Sequence, residues 1–367
     1  MLRNRLYYAL KPFLSASLRL SVRRWFALRK RGRVGAVWPT LPGSERPPEG
    51  WPGWPHGKQF ALVLTHDVES QAGLDQCRQL MRLEMELGFR SSFNFIPEGD
   101  YTVPPDLINE LKHNGFEVGV HDLNHDGKLY RSRAVFTTKA ARINRHLRNW
   151  GAVGFRSGFM LRQLDWLHDL DVQYDASTFD TDPFEPQPDG AGTIFPFYVP
   201  NPHRKDAKLE PEFQNTSAAI PSESADRKSN PGYVELPYTL AQDSTLFLLL
   251  QESTIDVWKR KLDWVAEHGG MAMLNVHPDY IDFSGVGQPG VSYPIRLYAD
   301  FLNELKQRWA GRYWQALPRE VADMAKGAWA SKAGGSPCAR SGVESVKKKR
   351  SGSTWITRLT FPSLNPS

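Results

Sequence analysis

Phe60-Ala61-Leu62-Val63-Leu64-Thr65-His66-Asp67-Val68-Glu69 sets the architecture of this chain: an apolar run of strand length ends in two carboxylates. The construction recurs. Phe116-Glu117-Val118-Gly119-Val120 leads to His121 and His125, and Met271-Ala272-Met273-Leu274-Asn275-Val276 leads to His277. Short, nearly continuous apolar runs are the mark of strands covered on both faces, as in parallel sheets.

Further strand-like runs fall near 91–96, 153–156, 172–177 and 193–199, and helix-like stretches near 72–87, 105–114, 135–150, 160–170, 254–268 and 295–310. Strand followed by helix, repeated this often, predicts an α/β fold with a parallel sheet and covering helices. An open doubly wound sheet and a closed barrel share this local pattern. The barrel is favoured because polar side chains end several non-adjacent strands, and barrels gather such ends on one face.

The chain has 367 residues, 40% of them hydrophobic and 12% aromatic, enough for a sizeable core. Its formal charge of +6 belongs to its ends: residues 1–35 carry ten Lys or Arg and no acid, and 331–367 carry seven against Glu344 alone, so 36–330 is net −10. A nucleic-acid-binding core is therefore not expected. Three regions follow from composition: a basic extension with a Pro/Trp-rich wrap over 1–55, a catalytic body over 56–330 with a polar, mobile insertion at 201–232, and a basic, disordered tail over 331–367. Leu6, Leu10, Leu14, Leu18, Val22 and Trp25 recur at helical spacing among basic residues, which suits an anionic membrane surface or packing against the body with a solvated basic face. Lys11 and Pro12 interrupt the apolar stretch a secretory signal needs, and Cys77 and Cys338 match no disulfide or ligand spacing. A cytoplasmic protein with possible peripheral membrane contact is expected.

His121 and His125 stand four apart, which brings both imidazoles to one side if the chain turns helically after the strand. Asp67 and Glu69, two apart, share a side of an extended backbone. With His277 they make an inventory for a divalent metal, a water-activating base and a proton donor, and so for metal-assisted hydrolysis. Capping of the helix starting near Gln71 is the competing role for Glu69.

In this order, Thr65-His66-Asp67-Val68-Glu69, His121-x-x-x-His125, Phe155-Arg156-Ser157-Gly158-Phe159 and Leu274-Asn275-Val276-His277-Pro278 resemble the segments of the polysaccharide deacetylases, carbohydrate esterase family 4 with its NodB-homology domain. The resemblance spans about 60 to 285 and implies a distorted, incomplete (β/α) barrel of seven or eight strands. It implies Asp67 as general base, His121 and His125 as metal ligands, Arg156 as the residue orienting that base, and His277 as general acid. The Phe159 backbone N–H would stabilise the oxyanion, and one divalent metal ion, zinc or else cobalt, nickel or manganese, would be bound. It also places a carboxylate that tunes the catalytic His near Asp175 or Asp180, for which turn-forming acids after a strand are the competing reading. Tyr238 and Asp243 are candidates to line the sugar cleft. Two positions depart from the family pattern. Val68 stands where a metal-binding Asp is usual, leaving Glu69 to supply that carboxylate, and Gly158 replaces a Pro, which loosens the loop carrying Phe159.

The expected activity is removal of N-acetyl groups from an acetamido sugar, either a nucleotide- or lipid-linked precursor or a polysaccharide. Two alternatives stay open: a catalytically inactive glycan-binding or scaffold relative, prompted by Val68, and a metal hydrolase of another amide or of an O-acetyl ester.

Overall fold

The computed structural model describes residues 16–35, 37–202 and 231–333. Most of the expected 201–232 insertion, nearly all of the tail expected over 331–367, and Leu6, Leu10 and Leu14 of the extension lie outside the described residues.

A nine-stranded sheet organises them. Its hub is β1 (Phe60–Val68), buried along its whole length. It pairs in parallel with β8 (Met271–Val276) over 61–66, with β2 (Ser92–Phe95) over its C-terminal half and with β11 (Tyr313–Gln315) over its first three residues. From β2 the sheet continues in parallel through β3 (Glu117–His121), β4 (Gly154–Arg156), β5 (Tyr174–Asp175) and β7 (Gly232–Glu235). β6 (Phe197–Pro200) adds itself to β7 antiparallel, so the strand expected at 193–199 departs from the parallel pattern. A separate two-stranded sheet joins β9 (Ile281–Asp282) to β10 (Tyr293–Pro294).

Where a regular barrel would have one more strand, the extended segment 236–240 fills the wall. The Tyr238 N–H donates to the Thr178 carbonyl at 3.0 Å, and those of Thr239 and Leu240 donate to the Met273 carbonyl of β8, each at 3.1 Å. The sheet thus curls into the incomplete (β/α) barrel that the family resemblance implied, with loop hydrogen bonds closing the gap.

Helices cover the outside because each carries one apolar stripe. α2 (Gln71–Leu87) buries Leu74, Cys77, Leu80, Met81 and Glu84, and ends at Gly88, whose φ of 82° suits a residue without Cβ. α3 (Pro105–His113), α4 (Arg133–Trp150), α5 (Asp256–Glu267), α6 (Arg296–Arg308) and α7 (Pro318–Ala333) follow. At α4 the Ser132 hydroxyl caps the Val135 N–H at 3.2 Å. The helix expected over 160–170 is instead two 3-10 turns, Gly158–Met160 and Leu164–Asp169. Left-handed φ values of 57° and 51° at Phe159 and Met160 stop a helix before it starts.

The N-terminal helix α1 (Ala16–Val34) lies against a π-helical turn, Ser244–Leu250. Arg31 pairs with Glu252, and the Lys30 ammonium donates to the Pro183 carbonyl. Trp38 and Trp54, at the two ends of the Pro/Trp-rich wrap, are buried, Trp38 edge-on to Phe184 and Trp54 donating to the Gly269 carbonyl at 2.7 Å. No helix among the described residues is long and apolar enough to cross a membrane.

Candidate active site

The C-terminal ends of β1, β3, β4 and β8 converge on a cavity of about 300 Å³ lined by Asp67, Glu69, His121, Ser157, Phe159, Glu185, Gln242 and His277. Each strand delivers its side chain for one reason: a parallel strand ends in a loop on the same face as its neighbours, so residues at strand ends meet although they are far apart in sequence.

Asp67 is 2% exposed and held from three sides. Asn94 of β2 donates to Oδ1 at 2.9 Å, while Asn275 of β8 donates to Oδ2 at 2.9 Å and the Arg156 guanidinium approaches Oδ2 at 3.4 Å. Burial alone would raise this carboxyl, but Arg156, with His121 and His277 nearby, outweighs it and holds Asp67 well below the usual carboxylate range. Asp67 is ionised and its oxygens are fixed in direction.

Glu69 sits one residue past β1. It does not cap α2: the N-cap is Ser70, whose hydroxyl donates to Asp279. The Glu69 N–H donates to Asp279 Oδ2 at 2.9 Å, and Tyr280 donates its hydroxyl to Glu69 Oε2 at 2.6 Å. The opposite oxygen, Oε1, is left facing His125 Nε2 at 3.2 Å and His277 Nε2 at 4.0 Å. Although burial opposes it, the contact with His125 and the charge of His277 bring the Glu69 pKa down to about 2.

The two imidazoles meet by a different route from the helical turn expected. Asp122 and His125 take left-handed φ values of 55° and 52°, and Asp122 Oδ1 accepts from the Leu123 N–H at 2.6 Å, so a bent loop folds one ring against the other at 4.9 Å between centroids. His121 Nδ1 is tied to the Arg156 carbonyl at 3.1 Å. Nε2 of His121 and Nε2 of His125 are buried with no hydrogen-bond partner, the latter because Glu69 approaches it outside hydrogen-bonding geometry. Two buried imidazole nitrogens without a partner are costly unless something binds them. Among the described residues Glu69, His121 and His125 form a cluster whose donor atoms lie within 4.8 Å of one another. Two nitrogens and one carboxylate oxygen suit a divalent transition ion with a place open for water. The fit is good.

His277, at the end of β8, points its Nδ1–H at Asp243 Oδ1 at 2.6 Å, while its backbone N–H donates to the other oxygen at 2.8 Å. Tyr293 donates to that second oxygen at 3.0 Å. Burial would lower the His277 pKa, but Asp243 in hydrogen-bond contact, with Glu69 and Asp67 beyond, raises it to about 10. The ring is an imidazolium at neutral pH and faces the cavity with Nε2.

The carboxylate beside His277 is therefore Asp243, not Asp175 or Asp180. Asp175 is buried at the end of β5, bonded to Ser177 at 2.7 Å. Asp180 is buried in an ion pair with Lys261 of α5. Neither lines the cavity. Tyr238 is also fully buried instead of lining the cleft. Its hydroxyl lies 2.9 Å from Asp182 and 2.8 Å from Glu185, and it is Glu185 that reaches the cavity. Burial and the neighbouring Glu185 charge raise the Asp182 pKa above the usual carboxylate range.

Gly158 does not loosen its loop. A Cβ there would come within 2.7 Å of Asp122 Oδ2 and of the His125 ring, so close packing requires glycine and leaves no room for proline. Phe159 follows, stacked on His125 at 4.4 Å, and of the six non-glycine residues with positive φ among the described residues four border this site: Asp122, His125, Phe159 and Met160. Backbone strain concentrated in this way is characteristic of functional sites. Asn94, Gln242, Asp279, Tyr280 and Tyr293 were not foreseen. For Asn94 a signal existed, a lone amide in the apolar strand Phe93-Asn94-Phe95; for the others spacing carries none.

No family model matches the sequence, and a search of curated proteins finds no match. Among solved structures, the chain is similar to a putative polysaccharide deacetylase from Mycobacterium smegmatis, with 17% identity, a TM-score of 0.52, and coverage of 79% of this chain and 97% of that one. A putative polysaccharide deacetylase involved in O-antigen biosynthesis from Bordetella bronchiseptica (15% identity, TM-score 0.36, 76% and 93% covered) is more distant. So is the peptidoglycan deacetylase PdaC from Bacillus subtilis (12%, 0.38, 76% and 96%). At these TM-scores the last two carry no argument. The curled, incomplete barrel of this chain is the fold of the Mycobacterium smegmatis protein.

Proposed function

We propose that this protein is a metal-dependent hydrolase that removes acetyl groups from an acetamido sugar in glycan biosynthesis. The observation that carries the proposal is the meeting, in one cavity, of two partnerless buried imidazole nitrogens, a carboxylate oxygen beside them, an ionised Asp67 and an imidazolium at His277. The shared fold with a protein described as a putative polysaccharide deacetylase supports the same reading.

Glu69, His121 and His125 would hold the ion, zinc or else cobalt, nickel or manganese, which supplies Lewis-acid polarisation of the acetyl carbonyl and a more acidic water. Asp67, oriented by Arg156, Asn94 and Asn275, takes the proton of the attacking water as the C–O bond forms. The Phe159 N–H, at the cavity wall, donates to the oxyanion. His277 then gives its Nε2 proton to the nitrogen as the C–N bond breaks, releasing acetate and a free amine, and Asp243 stabilises the imidazolium until that moment. Glu69, one position past Val68, would supply the third ligand: it lies 3.2 Å from His125, and its donor oxygen is within 4.8 Å of those of both histidines.

Purified protein should contain stoichiometric metal, lose it on His121→Ala with His125→Ala, and release acetate from N-acetylated sugars or oligosaccharides. Metal-free native protein would overturn the reading in favour of a scaffold. Acetate released only from O-acetylated sugars would redirect it to an esterase.

A further inference from the structure

Toward the body, α1 pairs Arg31 with Glu252, donates from Lys30 to the Pro183 carbonyl and brings Arg23 to the cavity, and among its described side chains Ala27 is buried and Val34 half-buried against the core. On the outer side stand Val22, Trp25, Phe26 and Leu28, exposed by 36, 51, 46 and 44%. Arg29 and Arg33 are exposed on the same helix, so its solvent side combines apolar and basic groups.

Of the eight large hydrophobic residues exposed among the described residues, four are on α1 and Val37 follows it. Of the other three, Phe159 lines the cavity, and Val291 follows Gly290, which also lines it. The largest group of exposed apolar side chains among the described residues is therefore on α1. α1 carries seven basic residues and no acid. The Arg29 guanidinium lies over Trp25 at 4.4 Å, and Trp25 meets Phe26 edge-on at 4.9 Å. Aromatic rings under cationic heads fit the boundary between headgroups and acyl chains.

We propose that the outer face of α1 docks on an anionic lipid bilayer. Charge decides between the candidate occupants. Two copies joined through α1 would set like charges face to face, whereas anionic headgroups complement them, and such a surface attracts each nearby Lys or Arg. The docking does not depend on the deacetylase reading, and its test involves no catalysis.

The full chain is sedimented with vesicles of phosphatidylcholine alone and with about 30% phosphatidylglycerol, at low and high salt. Binding is expected only with phosphatidylglycerol and should weaken with salt. Trp25→Ser with Leu28→Ser should lower partitioning roughly tenfold through lost apolar burial. Arg29→Glu with Arg33→Glu should lower it by at least about tenfold. Neither pair lines the cavity, so both variants should keep the wild-type melting temperature. Absence of binding to phosphatidylglycerol vesicles, or binding unchanged in both variants, overturns the proposal. So does a concentration-dependent dimer abolished by Trp25→Ser, which would assign the face to a second copy.

Discussion

Tyr280→Phe removes one hydroxyl and leaves the ring, and it should weaken metal binding although Tyr280 is not a metal ligand. Its hydroxyl donates to Glu69 Oε2 at 2.6 Å, and with the Glu69 N–H held on Asp279 it fixes which oxygen of a flexible side chain faces the histidines. A hydrogen bond to a charged group is worth about 1.5–3 kcal/mol. At 1.4 kcal/mol per factor of ten this predicts roughly a 10- to 100-fold loss of affinity, the size typical of groups that orient a metal ligand. Metal-free protein titrated with cobalt or zinc by calorimetry reads this directly, with Glu69→Gln and His121→Ala as comparisons. Affinity within twofold of wild type in Tyr280→Phe, alongside collapse in Glu69→Gln, would refute the positioning role. Unchanged affinity in Glu69→Gln would refute the ligand assignment on which it rests.

Replacing Arg156 by Leu strands the Asp67 charge in a buried site and should cost about 3–5 kcal/mol at neutral pH, read by urea unfolding. Because the folded Asp67 pKa is depressed below 3.8, the stability it contributes is present above that value and lost on acidification, so the gap between variant and wild type should narrow below about pH 4. Asp243→Asn should lower the His277 pKa from about 10 and draw the alkaline limb of the activity profile toward neutrality. The sign for stability is opposite to that of Asp67. A raised histidine pKa stabilises fully below its ordinary 6.5 and loses the effect as pH rises through about 10, so the melting-temperature difference between Asp243→Asn and wild type should be largest at mildly acidic pH and shrink above 10. Gly158→Ala should cost about 1–3 kcal/mol from overpacking and displace the His125 ring, seen as a lower melting temperature and weaker metal binding.

The local pattern of the chain was enough for the parallel strands and most helices, because continuous apolar runs and 3.6-residue stripes are imposed by burial itself and survive in any tertiary arrangement. The same holds for Asp67, Glu69, His121, Arg156 and His277: each ends a strand, and strands of one parallel sheet must end on one face. Asp243 could not be paired with His277 in this way, since it lies on the loop between β7 and the π-helical turn and reaches the ring only because the segment 236–240 replaces a strand in the wall. Asp175 and Asp180 had the right composition but are engaged elsewhere, by Ser177 and Lys261. The left-handed bend at His125 and the glycine demanded by its ring are likewise invisible in one dimension. Sequence determines which groups are near a strand end, whereas the direction in which each side chain points depends on contacts made across hundreds of residues.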